Sequence, residues 1–347
     1  MNDKKDIRSL SIEELTSFFE TNNMPSYRAN QVYNWLWKKS CLSFDEMTNV
    51  SLELRNLLKS KFVINHIKVD RFQKSKDGTI KNAILLFDNL LVESVLIPTK
   101  SRTTACISSQ VGCSLDCEFC ATSKMDRIRN LNPDEIYDQA VTINSQSIKH
   151  HGRPISNIVF MGMGEPLLNY NNVIKGIQKI TSKEGLGMSP KRITVSTSGI
   201  SRLIIKMADD NVKFNLAISL HSAIEKTRNE IMPFSNKFPL DDLLKAIKYW
   251  YLKTNKIVTY EYIVWKGIND DEEHINALVN FCKSSPSKVN LIEYNTTENN
   301  FFISANNKSI DRYVSMLEKN KIPVTIRKSR GKDIDAACGQ LANKLVQ

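Results

Sequence analysis

The sequence predicts an α/β protein built on a parallel sheet, preceded by a small helical domain and a short antiparallel linker. Three observations carry this. From about residue 99, strand-length apolar runs alternate with amphipathic stretches, the pattern of repeated βα units. Those runs are nearly continuous in apolar residues, as in strands covered on both faces. Before residue 99 the pattern differs, with helical spacing over 1–70 and alternation over 71–98. Repeated βα units leave two architectures open, a doubly wound sheet and a barrel. The core is expected over 99–335, followed by a terminal segment at 336–347.

The elements follow in order. SIEELTSFFE opens on Ser11, an N-cap residue, with Glu14 three positions on as its capping-box partner. SYRANQVYNWLWKK sets Val32, Trp35 and Leu36 on one face at helical spacing, and SLELRNLLKSKF repeats the pattern. Arg28, Lys38 and Lys39 lie beside the aromatics of this bundle. Asp77-Gly78 is a hairpin signal between two strand-like runs, and LLVESVLIP continues as a third. Glu93 stands among apolar residues there, and strict alternation would aim it at solvent. Strand candidates in the core are 103–109, 156–162, 192–198, 214–221, 256–265, 288–295 and 323–329, separated by stretches such as NPDEIYDQAVTINSQSIK and LDDLLKAIKYWYLK.

Composition narrows the class. Of 347 residues, 41% are hydrophobic and 24% charged, which excludes a disordered or collagen-like chain. No apolar run approaches the ~20 residues a bilayer span needs, and MNDKKDIRSL lacks the apolar core of a secretion signal, so a cytoplasmic protein without membrane contact is expected. The formal charge of +11 favours a polyanionic partner. From Lys319 onward there are 7 basic and 2 acidic residues, concentrated in IRKSRGK, so a phosphate-contacting edge or a solvated terminal face is expected there.

Seven cysteines, an odd number with no secretion signal, point to metal or redox chemistry rather than a disulfide framework. Cys113, Cys117 and Cys120 form CxxxCxxC. Closed zinc sites want four ligands, and no fourth cysteine or histidine lies nearby. Three thiolates on one loop would instead leave one iron of a [4Fe–4S] cluster open. MGMGEP follows the second core strand, with Met163 between Gly162 and Gly164 and a carboxylate at Glu165. VSTSG places Ser196, ISLHS places Ser219, Leu220 and His221, and LIEYN places Asn295. All stand at strand C-termini, where barrel enzymes build their sites.

These motifs resemble those of the radical S-adenosylmethionine (SAM) superfamily. That resemblance implies a (βα)6 partial barrel, which the six candidates from 103 to 295 fit. It also implies a [4Fe–4S] cluster held by Cys113, Cys117 and Cys120, and SAM bound by Gly164, Glu165, Ser196, Ser219, Leu220, His221 and Asn295, with His221 as a pocket wall. QVYNWLWKK, LVESVLIP, CISSQVGCSLDCEFCAT, MGMGEPLLN, KRITVSTSG, LAISLHS and RGKDIDAACGQL together are similar to the RlmN-type dual-specificity RNA adenine-C2 methyltransferases of 23S rRNA and tRNA. The resemblance implies a monomer that uses two SAM per turnover and an external, flavodoxin-like electron donor. Cys338 would carry a methyl group, Glu93 would take the ring proton, and Cys106 would resolve the adduct through a transient disulfide with Cys338. The helical bundle and the basic C-terminal stretch become candidate RNA-docking surfaces. Cys41 and Cys282 match no motif and are expected to be buried as apolar residues. Where the family often continues with proline after Asn295, this chain has NTTENNFF. Two alternatives stay open here: the sister enzyme that methylates carbon 8 of the same rRNA adenosine and confers antibiotic resistance, and a non-enzymatic zinc- and RNA-binding protein.

Overall fold

The structure, a computed structural model, describes residues 4–297 and 301–343. Strict alternation of βα units gives a sheet in which neighbours in sequence are neighbours in space. Its ten strands are β1 (Lys68–Lys74), β2 (Ile80–Leu85), β3 (Leu91–Pro98), β4 (Thr103–Cys106), β5 (Asn157–Phe160), β6 (Ile193–Thr197), β7 (Asn215–Ser219), β8 (Val258–Ile263), β9 (Ser287–Ile292) and β10 (Val324–Arg327). They lie in the order β1 to β10. From β4 onward every pairing is parallel, which requires the crossover helices. β1 to β4 pair antiparallel. The antiparallel segment is therefore more than a linker, because it extends the barrel sheet.

Among the described residues, ten α-helices accompany the sheet. α1 (Ile12–Thr21), α2 (Tyr27–Trp37) and α3 (Leu52–Lys61) form the N-terminal bundle. α4 (Pro133–His151), α5 (Tyr170–Thr181), α6 (Ser201–Asp209), α7 (Glu225–Ile231), α8 (Leu240–Thr254), α9 (Glu272–Lys283) and α10 (Asn307–Lys319) connect the parallel strands. The Ser11–Glu14 capping box is formed. On α2 the deeply buried tryptophan is Trp37, while Trp35 is half-buried with Lys39 Nζ 3.5 Å from its ring centroid. Trp37 turns inward because its ring meets Tyr137 of α4 edge-on at 5.3 Å. Arg8 fixes the bundle to α4, its guanidinium donating to both Asp138 oxygens at 2.8 and 2.9 Å and to Asp134 at 3.1 Å.

The core strands carry two faces. Outward residues such as Ile158, Val195, Leu216, Tyr260 and Leu291 are buried against helices. Inward positions are largely polar, among them Thr104, Asn157, Thr194, Thr259, Asn290 and Thr325, and they line a cavity of about 500 Å³. The strands are thus less uniformly apolar than a reading of hydrophobic runs suggests, and the barrel encloses space. Cys41 and Cys282 are buried. Among the described residues no helix is long and apolar enough to cross a membrane.

Candidate active site

The cysteine loop is closed at its base. Gln110–Val111 pairs antiparallel with Arg129–Asn130. Gly112 (φ +72°) makes the turn, and a Cβ there would sit 2.1 Å from the Asp126 carbonyl oxygen. Cys113, Cys117 and Cys120 line one wall of a second cavity, of about 170 Å³, at the C-terminal ends of the strands. Gly164, Glu165, Ser196, Ser219 and His221 line the same space. Gly164 (φ +89°) admits no side chain, since a Cβ would lie 2.4 Å from Gln110 Cβ. Met163 is buried between the glycines, and its sulfur accepts the Glu93 backbone N–H at 3.2 Å.

Glu165 is buried, and its Oε2 accepts from the Ser198 backbone N–H (2.8 Å) and hydroxyl (2.7 Å). Its Oε1 accepts from the Leu167 N–H at 3.0 Å. Its carboxylate therefore braces the end of β5 against the loop after β6. His221 packs edge-on against Phe119 at 4.8 Å, and its Nδ1 accepts the Ile263 N–H at 3.2 Å. Burial, then Arg228, push the imidazole down to about 3, so it is a neutral wall.

Two expected contacts are placed elsewhere. Leu220 is fully buried and lines neither cavity, its backbone N–H going to the Glu261 carbonyl at 3.0 Å. Asn295 also lines neither cavity, and its Nδ2 donates to the Cys338 carbonyl at 3.3 Å. Its buried Oδ1 has no hydrogen-bond partner among the described residues. The departure after Asn295 falls partly at 298–300, outside the described residues.

Cys338 stands on the wall shared by both cavities, and Cys106, at the end of β4, lines the barrel cavity. Burial pushes the Cys106 thiol up to about 12, and the neighbouring Cys338 adds to this. Glu93 lines neither cavity. Both faces of its strand are covered, so it is buried rather than solvent-facing. Its Oε1 pairs with the buried Lys81 Nζ at 3.4 Å, and its Oε2 accepts from the backbone N–H groups of Ala342 (2.9 Å) and Asn343 (3.3 Å). The C-terminal segment is further held by Ala121 N–H to the Gly339 carbonyl (2.7 Å) and by Thr122 Oγ1 to the Leu341 carbonyl (2.5 Å).

Comparison with known proteins fits this geometry. Residues 5–64 match the model of the ribosomal RNA large subunit methyltransferase N-terminal domain, and residues 107–279 match that of the radical SAM superfamily. A probable dual-specificity RNA methyltransferase RlmN of Christiangramia forsetii is 64% identical, over 98% of this chain and 97% of that protein. One of the same name from Cytophaga hutchinsonii is 52% identical, over 99% and 94%. The chain belongs to the RlmN family of radical SAM RNA methyltransferases. A crystal structure of a radical SAM methyltransferase from Sphaerobacter thermophilus superposes with a TM-score of 0.91 at 34% identity, covering 97% of this chain and 99% of that one.

RlmN family membership implies a [4Fe–4S] cluster and SAM. The donor set fits. Three sulfurs share one cavity wall, and burial pushes each thiol up, Cys113 to about 12. Desolvated sulfurs of this kind need positive charge beside them to ionise, which iron supplies. The zinc-binding alternative is not favoured by the family assignment.

Sequence reasoning missed four residues. Arg228 is buried under the cofactor side and ties strand ends together, donating to the carbonyls of Ser219 (3.0 Å), Leu220 and Ser198 (2.6 Å). Lys81 pairs with Glu93. Glu261 lines both cavities, and Arg327 lines the barrel cavity with the two cysteines. None carries a local motif. Alternating polar residues in the core strands were the one available signal.

Proposed function

We propose that the protein methylates carbon 2 of an adenosine in 23S rRNA and in tRNA, using Cys338 as a methyl carrier. One observation supports this reading most: Cys338 lies on the wall between a cavity lined by the SAM-type motifs and a polar cavity with a basic rim. A thiol so placed faces a methyl donor on one side and a nucleobase on the other.

Cys113, Cys117 and Cys120 would hold a [4Fe–4S] cluster, which would supply the electron for reductive cleavage of SAM to methionine and a 5′-deoxyadenosyl radical. The remaining work belongs to the chain. The Cys338 thiolate accepts the methyl group of a first SAM, releasing S-adenosylhomocysteine. After loss of one hydrogen atom to the radical from a second SAM, the carbon on Cys338 bonds to adenine carbon 2, an electron-poor centre that ordinary nucleophilic methylation does not reach. Glu93 takes the ring proton, and the unpaired electron left on the adduct would pass back to the cluster, so that the ring regains a closed shell. For this the 341–343 segment must leave the carboxylate it caps. Cys106 then attacks the Cys338 sulfur, giving free methylated RNA and a Cys106–Cys338 disulfide that an external thiol reduces. The base must be unstacked to enter. Arg102, Lys328 and Arg330 at the cavity rim supply cations for its phosphates. Electrons come from an external flavodoxin-like donor, and the enzyme works as a single chain in the cytoplasm.

The test is nucleoside mass analysis after anaerobic reconstitution with iron, sulfide, SAM, a reductant and protein-free 23S rRNA or tRNA. 2-Methyladenosine is expected. 8-Methyladenosine would move the reaction to the sister type. Cleaved SAM with no methylated adenosine would overturn the substrate assignment. Cys106→Ala is expected to accumulate a protein–RNA adduct, and free methylated RNA from it would refute the resolving role.

A further inference from the structure

The barrel cavity contains a buried carboxylate that none of the steps above uses. Glu261, in the middle of β8, is 4% exposed. Its side-chain partner is Asn290 in register on β9, whose Nδ2 lies 3.2 Å from each carboxylate oxygen. Asn290 Oδ1 in turn accepts from the Thr325 hydroxyl on β10. Glu261 borders both cavities, and its hydrogen-bonded partners Asn290 and Thr325 line only the barrel cavity, so its carboxylate is anchored on the barrel side. A carboxylate offers about four lone-pair positions. One amide nitrogen shared between two oxygens leaves most of them unfilled among the described residues, and unfilled buried acceptors are costly. A ligand donor would satisfy them.

Donors stand beside it. Arg327, at the end of β10, lines the same cavity as Cys106 and Cys338, with Nη1 3.4 Å from the Met161 sulfur. Glu261 lines that cavity too, so the guanidinium, the carboxylate and both cysteines border one space. A flat ring that reaches Cys338 from the basic rim therefore meets an acceptor on β8 and donors on β9 and β10. Adenine presents the complement, an exocyclic amino group flanked by ring nitrogens that accept. Guanine and hypoxanthine present a carbonyl oxygen at the same position, which a carboxylate repels.

We propose that Glu261, oriented by Asn290, selects adenine by accepting from its 6-amino group, with the Asn290 amide and Arg327 facing the ring nitrogens. This rests on the reading of the barrel cavity as the nucleobase chamber. Glu261 acts here as a specificity residue and moves no proton.

The experiment uses the reconstituted full-length enzyme and three RNAs that differ at the target position: adenosine, purine riboside, which lacks the amino group, and inosine, which replaces it by a carbonyl. All three keep the hydrogens at carbons 2 and 8. Methylation kcat/KM is measured for wild type, Glu261→Gln and Asn290→Ala, with SAM cleavage in the absence of RNA as the control for an intact cofactor side. Wild type is expected to prefer adenosine over purine riboside by about tenfold to a hundredfold, the range of a buried hydrogen bond to a charged group. In Glu261→Gln that ratio is expected to shrink to a few-fold, and inosine should gain relative to adenosine because an amide can donate to its oxygen. Asn290→Ala should narrow the adenosine preference in the same direction. An unchanged ratio in Glu261→Gln overturns the proposal. So does a raised KM for SAM with the ratio intact, which would give Glu261 to the cofactor. Methylation and RNA-free SAM cleavage falling together, again with the ratio intact, would make the residue structural. A wild type that yields 8-methyladenosine would correct the methylated carbon while leaving the Glu261 test standing.

Discussion

Replacing Lys81 with methionine removes the cation from the deepest ion pair at the site. Lys81 Nζ and Glu93 Oε1 are 3.4 Å apart, with side chains 6% and 3% exposed. Breaking a buried pair by deleting one partner costs about 3–5 kcal/mol, because the other charge is left buried. Glu93 keeps two backbone donors, Ala342 and Asn343, so the low end, about 3 kcal/mol, applies. With an unfolding entropy of about 2.1 cal/mol/K per residue, 347 residues lose about 1 °C of Tm per 0.7 kcal/mol, hence about 4 °C in all. Thermal unfolding of wild type, Lys81→Met, Glu93→Gln and the double variant closes a mutant cycle. Glu93→Gln also breaks the pair, so the double variant should fall about 3 °C less than the sum of the singles. Strict additivity would refute the argument that the two charges are held for each other. Mass analysis of Cys338 methylation in Lys81→Met adds a second readout. Methylation should persist, since Lys81 lines neither cavity.

Three further outcomes follow from the same geometry. Burial holds the Cys106 thiol near 12, so only its small thiolate fraction attacks, and adduct release should accelerate about tenfold per pH unit across the neutral range; a flat profile would show another group supplying the thiolate. Gly164→Ala combines positive φ with a Cβ 2.4 Å from Gln110 Cβ, and should cost about 3 kcal/mol or weaken SAM binding by a comparable amount; unchanged Tm and SAM affinity would contradict the close approach. Arg8→Met leaves Asp134 and Asp138 buried without their cation. Asp138 is already pushed up to about 6 by burial, with Arg8 opposing. A carboxyl raised in the folded state favours the fold at low pH and loses that contribution as pH rises through its folded value. The variant should therefore fall furthest behind wild type in alkaline buffer and recover below pH ~6, read as Tm against pH; a pH-independent deficit would refute the ionic account.

Much of the site was legible because its parts are local. Three cysteines on one closed loop, glycines after a strand, and serines at strand ends are written at fixed spacings, and the structure gathers them at one end of the barrel. Seven strand candidates lie within a few residues of the observed parallel strands. Glu93 was legible as an oddity, since a carboxylate in an apolar strand has to be either solvent-facing or partnered, and only the fold shows Lys81 and the C-terminal amides beside it. Helical spacing set Trp35 on the apolar face of α2 and passed over Trp37, the more deeply buried of the two, because spacing alone does not say which stripe meets α4.

Written along the chain are the sulfur donors at 113, 117 and 120, two further thiols at 106 and 338, and βα units that leave few ways to connect a parallel sheet. Tertiary structure decided what those groups face. Curving the sheet into a partial barrel turned the polar inward positions of six strands into one cavity, and folding the terminal segment back across β3 set Cys338 between two chambers and capped Glu93. Glu261, Arg327 and Lys81 acquire meaning only there. A charged side chain inside a protein is defined by the partners that repay its desolvation, and those partners come from strands far apart in sequence.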